Sequence, residues 1–182
     1  DKEVFNDEEN VELLTSILSY FEDILNIEKF QPYDFEKIVN IGFKYFDLSD
    51  EIRLSALRLI RNASEEIHYD RFEPLIKKRL DLLHLIFLSV DSEDEELSSV
   101  SFDIMLNITK KPDYNFRYEI FQQIEGDLID HLSNSISINE NNIENVLEFI
   151  INLIESKTRD EKNPILSFLF DFIEYILLDF NE

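Results

Sequence analysis

Three nine-residue phrases decide the fold: Ala56-Leu57-Arg58-Leu59-Ile60-Arg61-Asn62-Ala63-Ser64, Ser101-Phe102-Asp103-Ile104-Met105-Leu106-Asn107-Ile108-Thr109 and Val146-Leu147-Glu148-Phe149-Ile150-Ile151-Asn152-Leu153-Ile154. They align without gaps and set Asn62, Asn107 and Asn152 at intervals of 45 residues. Their apolar residues recur at the spacing of a helix with one buried face. Self-similarity at a period of about 20–50 residues marks stacked units, none of which buries its apolar face alone. Pro32, Pro74, Pro112 and Pro164 also come about once per unit, each expected near a helix start, where a missing N–H costs least.

The same period runs outward from these phrases. Leu14, Ile17, Leu18, Phe21, Ile24 and Leu25 share one stripe, and Asn6 with Glu9 resembles a capping box ahead of it. A second helix is predicted from about Asp34, with Phe35, Ile38, Val39, Phe43 and Phe46 on its apolar side. Ser49 is the predicted cap of the helix that carries the first phrase, through Ile52, Ala56, Leu59 and Ile60. Pro74 to Val90 reads as one long helix, apolar nearly all round from Leu80 and therefore central. Ser92 is the predicted cap of the second phrase's helix, with Glu93, Asp94, Glu95 and Glu96 placed where the helix dipole favours negative charge. Lys110-Lys111-Pro112-Asp113 breaks that helix, and another carries Phe116, Ile120, Phe121, Ile124, Leu128 and Leu132. The polar run Ser133 to Asn142 reads as a loop before the third phrase, and Lys157 to Asn163 as a second loop before a last helix opened by Pro164. No alternating strand pattern stands out. The expected class is all-α.

Composition excludes several functions. Gly42 and Gly126 are the only glycines, so neither a phosphate-cradling loop nor a dinucleotide fingerprint can be written. There is no cysteine, which removes disulfides and thiolate metal sites and fits a reducing compartment. A formal charge of −23 opposes direct contact with nucleic acid and favours encounter with basic partners. Apolar runs fall short of a membrane span, since Asp171 and Glu174 interrupt the richest one, Ile165 to Leu178. Asp1, Lys2 and Glu3 do not open a signal peptide, and the lack of an initial Met suggests a fragment of a longer chain.

The phrase small/apolar-x-x-x-apolar-x-Asn-apolar resembles the end of the third helix of armadillo repeats. The resemblance implies an armadillo/HEAT-like right-handed α-solenoid of about three to four repeats. Residues 1–48 would be an N-terminal partial or capping repeat, 49–154 three units of 45-residue period, and 155–182 a C-terminal capping helix. In that family the third helices line a concave face, and the recurring asparagine reaches the backbone of an extended peptide. Carried over, Asn62, Asn107 and Asn152, with Arg58 and Arg61 beside them, are the candidate partner-binding residues. An Asn amide offers donors and acceptors to a peptide backbone without reading its side chains. Each Asn can equally terminate its own helix.

Ala56 to Ser64, with Glu96-Leu97-Ser98-Ser99-Val100-Ser101-Phe102-Asp103-Ile104-Met105 some forty residues on, also resembles the armadillo-like region of ARID-bearing subunits of SWI/SNF-class chromatin remodellers. That resemblance implies a nuclear core scaffold on which other subunits dock. Nothing resembles the ARID itself. The alternative is a cytoplasmic or transport adaptor that holds extended basic peptides in the concave groove.

Chemistry-bearing motifs are missing. His68, His84 and His131 are isolated in sequence and lack metal-ligand spacing, and His84 reads as a hydrogen-bonded core residue. Asp91-Ser92-Glu93-Asp94-Glu95-Glu96 lacks the glycine and spacing of a calcium loop and reads as a helix start. The basic groups Lys77-Lys78-Arg79 and Lys110-Lys111 with Arg117 read as solvated charges balancing nearby acids. Phe168, Phe170, Phe172 and Phe180 lie too widely around the last helix for one neighbour to cover. The expectation is a non-catalytic protein without cofactor, metal, membrane or small-molecule substrate, whose partners are other protein subunits and basic segments.

Overall fold

The computed structural model describes residues 8–26, 32–46, 48–110 and 113–154, together with 170, 172 and 173. Among the described residues there are nine helices and no strand: α1 (Glu8–Leu25), α2 (Pro32–Tyr45), α3 (Asp50–Ser64), α4 (Tyr69–Ile76), α5 (Leu80–Phe87), α6 (Glu95–Thr109), α7 (Tyr114–Ile124), α8 (Leu128–Ile138) and α9 (Asn142–Ile154). The protein is all-α. The three phrases end α3, α6 and α9.

Short polar side chains begin three of these helices by accepting from otherwise orphaned N–H groups. Ser49 Oγ accepts from Ile52 N at 3.4 Å, as its position before the first phrase predicts. Asp113 Oδ1 accepts from Asn115 N and Phe116 N at the start of α7. At α6 the cap is Asp94, not Ser92: Asp94 Oδ1 accepts from Glu96 N at 3.0 Å and Leu97 N at 3.2 Å. Ser92 instead closes the preceding turn by accepting from Asp94 N. The acidic cluster is thus a helix start, with Glu95 and Glu96 in the first turn.

The predicted long helix from Pro74 to Val90 does not form. The chain makes α4, with Pro74 inside it, and α5, separated at Lys77–Arg79. An unbroken helix that is apolar all round would need cover on every side. The break lets Phe72 and Ile76 bury from one short helix, and Leu82, Leu83, Ile86 and Phe87 from another. Its polar residues are held by acids, Lys77 by Asp113 and Arg79 by Asp81. The helix expected to run from Phe116 to Leu132 is likewise two, α7 and α8, with Glu125-Gly126-Asp127 as the turn.

Conversely, the expected loop from Ser133 to Asn142 is mostly helix. Its hydroxyls bond locally: Ser137 Oγ donates to Ser133 O at 2.9 Å, and buried Ser135 Oγ accepts from Asn142 Nδ2 at 2.9 Å. The capping box at Asn6 and Glu9, the loop Lys157 to Asn163 and the helix start at Pro164 lie outside the described residues or side chains. Of the phenylalanines near the end, Phe172 is buried and Phe170 exposed.

Packing follows a simple order. Helix α3 packs on α1 and on α6, and α6 packs on α9. The other helices flank these: α2 and α4 on α3, α5 on α6, and α7 and α8 on α9. One apolar cluster runs through the whole, from Leu18 to Phe172. The 45-residue register reappears as burial. Ala56, Ser101 and Val146 are all buried, as are Leu59, Ile104 and Phe149, Ile60, Met105 and Ile150, and Ala63, Ile108 and Leu153.

Candidate functional site

The candidate residues sit on α3, α6 and α9, and their polar atoms mainly join one helix to the next. Asn62 is 4% exposed; its Nδ2 donates to Asn26 Oδ1 at 3.4 Å, just past the end of α1, and its Oδ1 accepts from Arg61 Nε at 3.3 Å. Asn107 is half-buried, and its Nδ2 donates to Ser64 Oγ at 3.0 Å, at the end of α3. Asn152 is 9% exposed, and its Nδ2 has no hydrogen-bond partner. Its backbone carbonyl, in the last turn of α9, accepts from Arg117 Nη1 at 2.8 Å. Equal spacing in sequence therefore brings neither the same depth nor the same bonding.

Charges step across the same helices. Arg61 lies 3.5 Å from Glu22 on α1 and 4.0 Å from Asp103 on α6, so one guanidinium touches both neighbours of α3. Arg58 Nε donates to Glu96 Oε1 at 3.0 Å, and Lys110 Nζ lies 3.1 Å from Glu148 Oε1 on α9. Pairs as open to water as the last two each contribute about 0–1 kcal/mol, so their weight is in fixing register more than in strength. Arg58 and Arg61 are thus both engaged within the fold.

Further polar contacts follow the same rule. His68 Nε2 meets Leu25 O at 2.8 Å, Tyr69 Oη donates to Ile108 O at 3.3 Å, and Lys77 Nζ donates to Asp113 Oδ2 at 2.8 Å. Burial pushes the Tyr69 phenol well above its ordinary range, so it remains a neutral donor. Lys77 draws the Asp113 carboxyl below its usual range. These contacts between distant segments, with those of Asn62, Asn107 and Arg117, span 35 to 43 positions.

The histidines differ from the expectation. His84 is not a core residue: it is half-exposed, with Nε2 2.8 Å from Asp127 Oδ2 before α8. His131 Nδ1 lies 2.9 Å from Asp91 Oδ2, off the line of a good hydrogen bond. His68 is the buried one. Among the described residues no group of three or more His, Asp or Glu is placed to hold a metal ion, and no helix is long and apolar enough to cross a membrane.

Arg117 was not legible as a structural residue. Grouped by sequence with Lys110 and Lys111, it reads as solvated, yet it is 3% exposed. Its charge meets the carbonyl end of α9, where the helix dipole favours a cation. Glu22, Asn26, Ser64 and Glu96 were missed as partners of the candidate residues. Their only sequence signal is lying 36 to 43 positions from the residues they contact.

Glu22 gives the row a pH dependence. Burial raises its carboxyl above the ordinary glutamate range, and Arg61 and Arg58 only partly offset this. The folded chain therefore holds that proton more tightly than the unfolded chain. Stability tied to this group falls as pH rises from the unfolded to the folded value and returns on acidification. The urea midpoint is expected to rise on going from about pH 7 to about pH 4.5, and Glu22→Gln to flatten that rise. An unchanged slope would place the acid response elsewhere.

No family model, curated protein or solved structure matches this chain.

Proposed function

We propose that the chain is an armadillo/HEAT-like right-handed α-solenoid of three to four repeats, acting as a non-catalytic scaffold for other protein subunits. The observation that carries this reading is the agreement of the 45-residue register with burial along α3, α6 and α9. Polar contacts spanning 35 to 43 residues support it, because in a solenoid each unit contacts its neighbours. The net charge of −23 would speed association with basic segments of a partner. A core-assembly role in a nuclear SWI/SNF-type chromatin remodelling complex rests on the helix-end phrases alone. Affinity purification of the protein with mass spectrometry tests it: remodeller subunits are expected, and their absence would remove the assignment.

The use of the Asn62 and Asn107 amides between helices favours the scaffold over the peptide-carrying adaptor. Replacing Asn62, Asn107 and Asn152 together by Ala is expected to lower stability by about 2 kcal/mol, on roughly 1 kcal/mol for each of the two hydrogen-bonded amides. Asn152 should contribute least, since its Nδ2 is unpartnered. Urea unfolding measures the loss. Wild-type stability together with lost binding of an extended lysine-rich peptide would instead favour the adaptor.

A further inference from the structure

One face of α9 lacks the cover that the register gives its counterparts. In α3 the face through Leu57, Arg61 and Ser64 meets α6: Ser64 Oγ accepts from Asn107 Nδ2, and Arg61 lies 4.0 Å from Asp103. Forty-five residues on, Phe102 and Leu106 of α6 are 1% and 6% exposed. Another forty-five residues on, Leu147 and Ile151 of α9 are 45% and 59% exposed. Ile143 extends the stripe by one turn, at 36%. The stripe recurs every four residues and runs for about two and a half helical turns.

We propose that this face of α9 is a docking site for an amphipathic α-helix of a partner protein, with basic residues flanking its apolar stripe. The shape follows from the register, because the partner helix takes the place on α9 that α6 takes on α3. The charge follows from the rim. Helix α9 carries Glu144 and no lysine or arginine, Glu140 precedes it, and both carboxylates are exposed, while Glu148 is met by Lys110. A second copy would set the same carboxylates against one another on this face. The chain's own last apolar run, Ile165 to Leu178, carries Asp171 and Glu174 and no basic residue. Neither supplies a cation to set against Glu140 and Glu144.

The inference rests on the repeat reading of the fold, and its test separates the two. A fluorescently labelled synthetic helix, with leucines on one stripe and lysines beside it, is titrated with the full chain, alongside a scrambled peptide of the same composition and a glutamate-for-lysine version. The amphipathic lysine peptide is expected to bind at least tenfold more tightly than either control. Leu147→Asp and Ile151→Asp should each weaken it about tenfold, and Glu144→Lys several-fold. Because all three positions are exposed, circular dichroism melts should stay unchanged. Equal binding of the scrambled peptide, or no effect of Leu147→Asp, would overturn the site. A dimer in sedimentation that Leu147→Asp dissolves would overturn it in favour of a second copy. Slow maleimide labelling of Leu147→Cys in a monomeric chain would overturn it in favour of the chain's own cover. A docking failure with normal melts would leave the repeat reading standing.

Discussion

Phe102→Ala is expected to destabilise the protein by about 3–5 kcal/mol, while Leu147→Ala should cost less than about 1 kcal/mol. The two residues occupy the same place in the 45-residue register. Phe102 is 1% exposed in α6, which packs between α3 and α9, so its loss removes a large buried ring and leaves a cavity that neighbours fill only in part. Leu147 is 45% exposed on α9 and keeps much of its contact with water in either state. Urea unfolding of both variants reads the difference directly. Similar losses for the two would mean that Leu147 is covered, and the docking face would go with it.

Gly42→Val is expected to cost about 1–3 kcal/mol, although glycine is a poor helix former. In α2 a Cβ at position 42 would stand 3.2 Å from Leu59 Cδ2 and 3.3 Å from Ile60 Cγ1. Both neighbours are fully buried in α3, so neither has room to withdraw. Gly42 thus sets how closely α2 lies on α3, and a branched side chain forces the two apart. The gain in helix propensity, about 0.5 kcal/mol for replacing glycine with valine, offsets only part of this. Gly126 is the control. Nothing lies within 4 Å of a Cβ there and its φ is not positive, so Gly126→Ala should be neutral or stabilise by up to about 1 kcal/mol. Thermal melts should fall for Gly42→Val and hold or rise for Gly126→Ala; a destabilised Gly126→Ala with a tolerated Gly42→Val would reverse the packing argument.

Local chemistry explains what the sequence revealed. The Ser49 cap and the buried sides of α2 and α3 were legible because each depends on residues within a turn or two of one another. Breaks inside apolar stretches were not. Lys77–Arg79 interrupts a continuous apolar pattern, and what stabilises the break is Asp113, 36 residues away. The turn at Gly126 had a signal, a glycine between two acids, but the apolar spacing carries through it. In α8 the serines read as loop because their hydroxyls compete with the backbone, and here they bond back within the helix or to Asn142. Arg117 shows the limit most clearly. Its neighbours in sequence are polar, and its burial depends on a carbonyl of Asn152 that only the third dimension brings near.

The candidate site was legible as a set of positions and not as a set of roles. Asn62, Asn107 and Asn152 share a register, which sequence comparison within the chain detects. What each amide bonds depends on the residue opposite: Asn26 for the first, Ser64 for the second, and none for the Nδ2 of the third. Those opposing residues do not repeat, so no periodicity announces them.

Arg58, Asp103 and Glu148 occupy one register position and are all accessible, and the chain has no cysteine to interfere with labelling. Spin labels introduced in pairs at these sites measure whether α3, α6 and α9 form an open row. With helices packed about 8–10 Å apart, adjacent pairs should give about 10 Å and the outer pair, 58 with 148, about 20 Å. An outer distance as short as the adjacent ones would mean a closed bundle and would contradict the stacked-repeat reading.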